Sequence, residues 1–294
     1  MYSVISFWSG FNYNNGDFVH KYFKGHTCTT NHQETDLLLV GSFVTGEQYD
    51  IIKSLTCKKV LYISEPINSF FQPHVLRLFV ENEFSMIFGC INHDPTSNRF
   101  KLQLYTMYFN YHDKNIFLHT NQYAKTCIIE NKKDCCLINR HDMLFSRTDI
   151  YNTLREVLSI DCPSILFNNC SNEELNNIGN VEYIKKYKFQ ICPENTRINI
   201  PGYITEKLCQ SILGCAIPIY YGYYDDIDEK IFNKNRILFF EKDNLQSILD
   251  VKDKIIHFLN HPDDFNSFYR QDPFCDTAYE TLISLENDLI SYIN

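Results

Sequence analysis

The chain has 294 residues, 44% of them apolar and 15% aromatic, with no run of 18 apolar residues, so it is too long for one ordinary domain, too apolar to be disordered, and without a membrane-spanning segment. Its 36 acidic against 27 basic side chains give a net charge of −9, which argues against nucleic acid as a partner, because binding a phosphate backbone takes a basic surface that releases counterions. Twelve cysteines without a secretory leader read as thiols of a reducing compartment, so a cytoplasmic location is expected, or a host compartment if the source is viral.

Residues 1–10 are apolar but lack a basic stretch and a small-residue cleavage site, and they read as a core strand over 4–8 rather than a signal peptide. An Asn-rich loop follows at 12–15. Strand signals at 37–44, 60–64 and 84–90, with helical patches between them, complete one doubly wound half. Glu65 closes the second of these strands and precedes Pro66, which stands its carboxylate at a strand C-terminal end. His93 and Asp94 follow the third in a polar turn; a histidine can serve as a base near neutral pH, though in such turns it is more often surface decoration.

Strands at 135–138, 164–167, 188–192, 217–221 and 237–240 make a second half, and helices over 245–269 and 276–293 close the chain. No repeat, proline-rich linker or low-complexity tract marks a boundary, so the pattern places it: 1–130, 131–275, and a C-terminal helix at 276–294. The fold class is α/β, two Rossmann-like domains facing each other across a cleft, with ligands at the C-terminal ends of the strands.

Within the second half, YKFQICPENTRINIPGYITEKLCQSILGCAIPIYYG reads as strand, polar turn, helix and parallel strand, the helix running from Thr205 to about Leu213 with Gly214 as its left-handed cap. Tyr203, Thr205, Glu206 and Lys207 cluster at that helix N-terminus, where unpaired N–H groups and the dipole attract anions. A diphosphate suits Lys207, and paired hydroxyls suit Glu206. An isolated TEK is ordinarily a helix cap followed by two solvated charges; here the flanking pattern adds weight. Arg147 opens a helix, where its guanidinium could serve a phosphate or form a surface ion pair with Asp149 or Glu156. Asp225, Asp226 and Asp228 look like a metal clamp, but an acidic turn after a strand is usually a solvated turn, and no metal site is assigned.

The order K-F-x-x-x-x-E-N, a short loop, G-Y-x-T-E-K and then I-P-I-Y-Y-G closely resembles the nucleotide-sugar motif of the α1,3/4-fucosyltransferases. The N-terminus VISFWSGFNYNNGDFVHKYF with its W-x-G-F turn, VLYISEPIN, FGCINHDPTSNRFKLQLY and RTDIYNTL are similar to further blocks of that family, closest to its soluble bacterial members. The resemblance implies the two-domain GT-B architecture, with the acceptor in the N-terminal half, and inverting transfer of L-fucose from GDP-fucose to a hydroxyl of an oligosaccharide or glycoconjugate, α1,3 on a GlcNAc-type sugar. It makes Glu65 the base, with His93 or Asp94 as alternatives. Arg147 and Lys207 then hold the diphosphate, Glu206 the ribose, and Asn195, Tyr203 and Thr205 complete the donor site. No cofactor or divalent metal is implied. The chain departs from the family where Pro193 replaces an aromatic before Glu194-Asn195 and where the loop up to Tyr203 is longer. A transferase of another GDP-sugar, a sugar-nucleotide hydrolase and a non-catalytic glycan- or nucleotide-binding homologue are the alternatives. The oligomeric state is left open.

Overall fold

The computed structural model describes residues 1–5, 22, 27, 29–65, 67, 72–142, 147–196 and 200–293. The W-x-G-F turn, the Asn-rich loop at 12–15, the last residues of the expected first strand and Pro66 lie outside the described residues. The chain divides into two compact units: Met1–Met107 with Pro201–Tyr203 and Ile283–Asn294, and Tyr108–Ile200 with Ile204–Leu282.

In the first unit β1 (Tyr2–Ile5), β2 (Leu37–Val40), β3 (Lys58–Ile63), β4 (Met86–Gly89) and β5 (Arg99–Lys101) form one parallel sheet in the order 1-2-3-4-5. Among the described strands that order has no reversal. Leu37–Val40 is buried throughout and reads as an unbroken apolar run, as parallel strands covered on both faces do. α1 (Gly46–Ser54) follows β2 and starts in a capping box in which Thr45 and Gln48 satisfy each other's backbone N–H. α2 (Pro73–Val80) follows β3 with proline in its first turn, where a missing N–H costs nothing. The core gathers Tyr2, Leu39, Val60, Tyr62 and Phe88 with Leu289 and Ile293.

The second unit holds β6 (Lys133–Cys136), β7 (Ile160–Asp161), β8 (Tyr187–Ile191), β9 (Ile217–Tyr220) and β10 (Leu238–Phe239), all parallel, in the order β10-β9-β8-β6-β7. Its order reverses between β6 and β8. That is a topological switch point, the place where open α/β sheets leave a crevice for ligands. α3 (Lys114–Thr126), α4 (Thr148–Leu154), α5 (Glu173–Ile184), α6 (Glu206–Leu213), α7 (Leu245–Asn260) and α8 (Pro262–Tyr269) belong to this unit. α9 (Ala278–Ile293) begins in it and ends in the first. None of the described helices is long and apolar enough to cross a membrane.

Three local expectations are corrected. The strand expected at 164–167 is a turn, and the strand there is Ile160–Asp161 instead. The single helix expected over 245–269 is two, because Pro262 lacks the N–H that a continuing helix needs and starts α8 after His261. Gly214 is right-handed (φ −74°), and the left-handed residue is Cys215 (φ 53°), whose N–H donates to Ile212 O while that of Ala216 donates to Ser211 O. This is a Schellman closure displaced by one residue. The fully buried Arg236 fixes it, donating to the carbonyls of Cys215 at 2.9 Å, Ala216 at 3.0 Å and Tyr269 at 2.9 Å.

Candidate active site

In the first unit the end of β3 is pinned from both sides. Ser64 N–H donates to Ser42 Oγ at 3.1 Å, Ser42 in turn donates to the Tyr62 carbonyl, and Cys90 N–H donates to Ile63 O at 2.8 Å. Gly89, at φ +116°, lies so close that a Cβ there would sit 2.2 Å from Ile63 O. Only glycine allows β4 to meet the backbone just before Glu65 this closely. Glu65 thus leaves the strand from a fixed base, and Tyr203 Oη donates to its Oε2 at 2.8 Å. The 201–203 segment is held in the same way: Gly202 (φ +80°) rests on the Ile91–Asn92 backbone, where a Cβ would come within 2.1 Å of Ile91 C.

The alternative bases are occupied by their own neighbourhood. His93 Nδ1 accepts from Lys101 N–H at 3.3 Å while Nε2 faces Asp288 at 3.2 Å, which commits the ring's lone pair to the backbone. Asp94 accepts from Thr96 Oγ at 2.6 Å, and bonds from Ser97 and Thr96 hold its carboxyl below the usual range, making it a weaker base.

In the second unit the segments after β6 and β8 meet at the switch point. Asp142 accepts from the N–H groups of Arg147 and Thr148 and from Thr148 Oγ, the last at 2.6 Å, which fixes the entry to α4. Arg147 is 2% exposed and its Nη1 donates to the His141 carbonyl. Glu156, considered above as its ion-pair partner, instead faces Lys252. His141 is held below its usual value by burial first and then by the charge of Arg147, with Asp142 pulling the other way and Lys207 adding a smaller push downward.

After β8 comes Glu194, 0% exposed. Its carboxylate accepts from Thr205 N–H at 2.8 Å, Thr205 Oγ at 2.7 Å and Tyr220 Oη at 3.3 Å, with Lys207 Nζ at 3.4 Å. Lys207 Nζ also donates to Thr205 Oγ at 2.8 Å and Glu206 Oε1 at 3.3 Å. Thr205 is the N-cap of α6 as expected, but its hydroxyl goes to Glu194 and not back to the helix. Burial pushes the Glu194 carboxyl up, against the opposing pull of Lys207 and the Thr205 bonds. Asn195 stands next to it, half-buried. Arg147, Asn195, Thr205, Glu206 and Lys207 therefore belong to the second unit, and Glu65, His93, Asp94 and Tyr203 to the first.

Sequence reasoning assigned no role to Glu194, His141 or Tyr220. For Glu194 the available signals were its place in the E-N pair of the K-F-x-x-x-x-E-N block and its position directly after an apolar strand and a proline. The Asp225–Asp228 turn closes on itself: Asp225 accepts from the N–H groups of Ile227 and Asp228, and Asp228, fully buried, accepts from Asp225 N–H. Among the described residues no group of three or more His, Cys, Asp or Glu side chains is placed to hold a metal ion.

Two parallel five-stranded α/β units are the parts of a GT-B glycosyltransferase, and the solved structures agree in fold. The crystal structure of an alpha1,3-fucosyltransferase with GDP-fucose superposes at a TM-score of 0.67, with 15% identity over 98% of this chain and 89% of that one. The crystal structure of alpha1,3-fucosyltransferase gives 0.64, with 16% identity over 99% and 89%. Residues 128–273 match the model of glycosyltransferase family 10 (fucosyltransferase), C-terminal part. The segment 128–273 is thus similar to the C-terminal part of the fucosyltransferase family, and the chain as a whole shares the fold of those solved structures. No curated protein matches it in sequence.

Proposed function

We propose that this protein transfers L-fucose from GDP-fucose to a hydroxyl of a glycan acceptor, with inversion, α1,3 on a GlcNAc-type sugar, and without a divalent metal. The observation that carries the proposal is that Arg147, at the start of α4 after β6, and Lys207, in the first turn of α6 after β8, follow the two neighbouring strands at which the second sheet reverses its order. A forked guanidinium, an ammonium and the positive end of a helix together suit a leaving diphosphate. Glu206 accepts from the ribose hydroxyls.

In the reaction, Glu65 takes the proton of the acceptor hydroxyl as its oxygen forms the new bond to fucose C1. The bond from C1 to the diphosphate oxygen breaks, and its electron pair leaves with GDP, whose growing charge falls to Arg147 and Lys207. The occupied lone pair of His93 and the lowered carboxyl of Asp94 favour Glu65 over both.

Thermal unfolding against GDP, GDP-fucose, GDP-mannose and UDP-sugars tests the donor. GDP and GDP-fucose should stabilise the fold, by about 2.7 kcal/mol at a hundredfold excess over Kd. Stabilisation by uridine nucleotides alone would overturn the proposal, and GDP-mannose surpassing GDP-fucose would assign another GDP-sugar.

A further inference from the structure

We infer that Glu194 is a positioning residue for the donor diphosphate, acting through Lys207 and Thr205; the inference rests on the donor site proposed above. A carboxylate removed from water is costly unless several donors satisfy it, and stability alone is served as well by apolar packing. Among the described residues, Glu194 accepts from groups on two elements. Tyr220 ends β9, whereas Thr205 and Lys207 begin α6. Its own N–H donates to Tyr221 O at 2.7 Å, so strand pairing fixes the backbone that carries the carboxylate.

The packing leaves the group no latitude. A Cβ at Gly222 would lie 2.8 Å from Glu194 Cγ and 2.3 Å from Tyr220 Oη, so glycine is what lets this corner close. Thr205 Oγ has one proton, and gives it to Glu194; its lone pair then receives Lys207 Nζ at 2.8 Å. The carboxylate thereby sets the direction of the hydroxyl, and the hydroxyl sets the ammonium. Lysine is a flexible point charge, and holding it in place before a ligand arrives removes an ordering cost from binding. Glu206, at 3.3 Å, contacts the same ammonium through its own carboxylate.

The test is a double-mutant cycle read as GDP affinity by calorimetry on wild type, Glu194→Gln, Lys207→Met and the double variant. Glu194→Gln should weaken GDP about tenfold or more, the scale of a hydrogen bond to a charged group. In the Lys207→Met background the same change should do almost nothing. Glu194→Gln binding GDP as well as wild type, or losses that multiply in the double variant, would overturn the inference. If Glu194→Gln does not fold, Thr205→Val decides in its place: it keeps the N–H bond to Glu194 and deletes the hydroxyl relay, and the same coupling to Lys207 is expected, with independence overturning the inference. Wild-type protein that takes up no GDP sinks the functional proposal and this inference together. Wild type that binds GDP, with variants indistinguishable from it, sinks the inference alone.

Discussion

Glu65 and Lys207 carry opposite halves of the proposed reaction, and substitutions should separate them. Glu65→Gln keeps the shape and the Tyr203 hydrogen-bond acceptor but cannot take a proton, so turnover should fall by roughly two orders of magnitude or more while GDP affinity stays level. Steady-state kinetics beside calorimetry checks this, and near-normal turnover would return the base to His93 or Asp94. Lys207→Ala should weaken donor binding by about 1.5–3 kcal/mol and slow the leaving group as well. At this scale the candidates Glu65, Arg147 and Lys207 could be picked from the sequence because they sit in spaced motifs at strand and helix ends. Glu194 could not. Its importance lies in being buried among donors from β9 and α6, and neither burial nor the meeting of those elements is written in the residues beside it.

Single elements show where local rules were overruled. The Gly214 position predicted a left-handed cap, yet the glycine is there for space: a Cβ would lie 2.5 Å from Ile184 Cγ2 and 3.2 Å from Gln210 O. Gly214→Ala should cost about 1–3 kcal/mol by overpacking, measured by urea unfolding. Cys215 takes the left-handed turn because the buried Arg236 holds its carbonyl, a partner 21 residues away that no reading of the turn alone could supply. Most strand positions were legible to within a few residues because buried parallel strands are plain apolar runs; β5 (Arg99–Lys101) was not predicted, and like the two-residue β7 it is too short to carry such a signal.

A second element-scale expectation concerns Glu83, which faces Lys53 at the end of α1 at 2.5 Å and the buried Lys59 at the start of β3 at 2.7 Å. Bonds from Lys53 and then Lys59 hold its carboxyl below the ordinary value. A lowered carboxyl stabilises the fold above its unfolded value and loses that contribution as pH falls through the folded one. Glu83→Gln should therefore be less stable than wild type at neutral pH, with the gap closing in acid below about pH 4. A gap that persists there would mean that packing, not charge, is at work.

For the whole molecule, the net charge of −9 means that an anionic donor is drawn in only by local cations, so nucleotide binding should weaken with added salt. In the proposed reaction those cations and the α6 terminus supply the charge that a divalent ion gives elsewhere, so the proposal expects activity to survive EDTA. Loss on chelation with recovery on Mn²⁺ would point to the Asp225–Asp228 turn instead. The two-unit architecture was readable from the alternation of strand and helix signals, but the assignment of 201–203 and 283–294 to the first unit was not, since contacts far along the chain decide it.

The assignment of the second half of α9 has a consequence for how the protein is made. Leu289 and Ile293 complete the apolar cluster over β1 to β5, Tyr292 Oη donates to Ser85 O at 3.0 Å, and Lys58 Nζ lies over the Tyr292 ring at 4.6 Å. These residues leave the ribosome after every other part of the unit they cover. During synthesis the sheet must therefore wait, its apolar face uncovered, while the whole of the second unit is translated. A nascent chain stalled before residue 283 should expose that face to chaperones and proteases, whereas the second unit has nearly all of its own residues in hand by then.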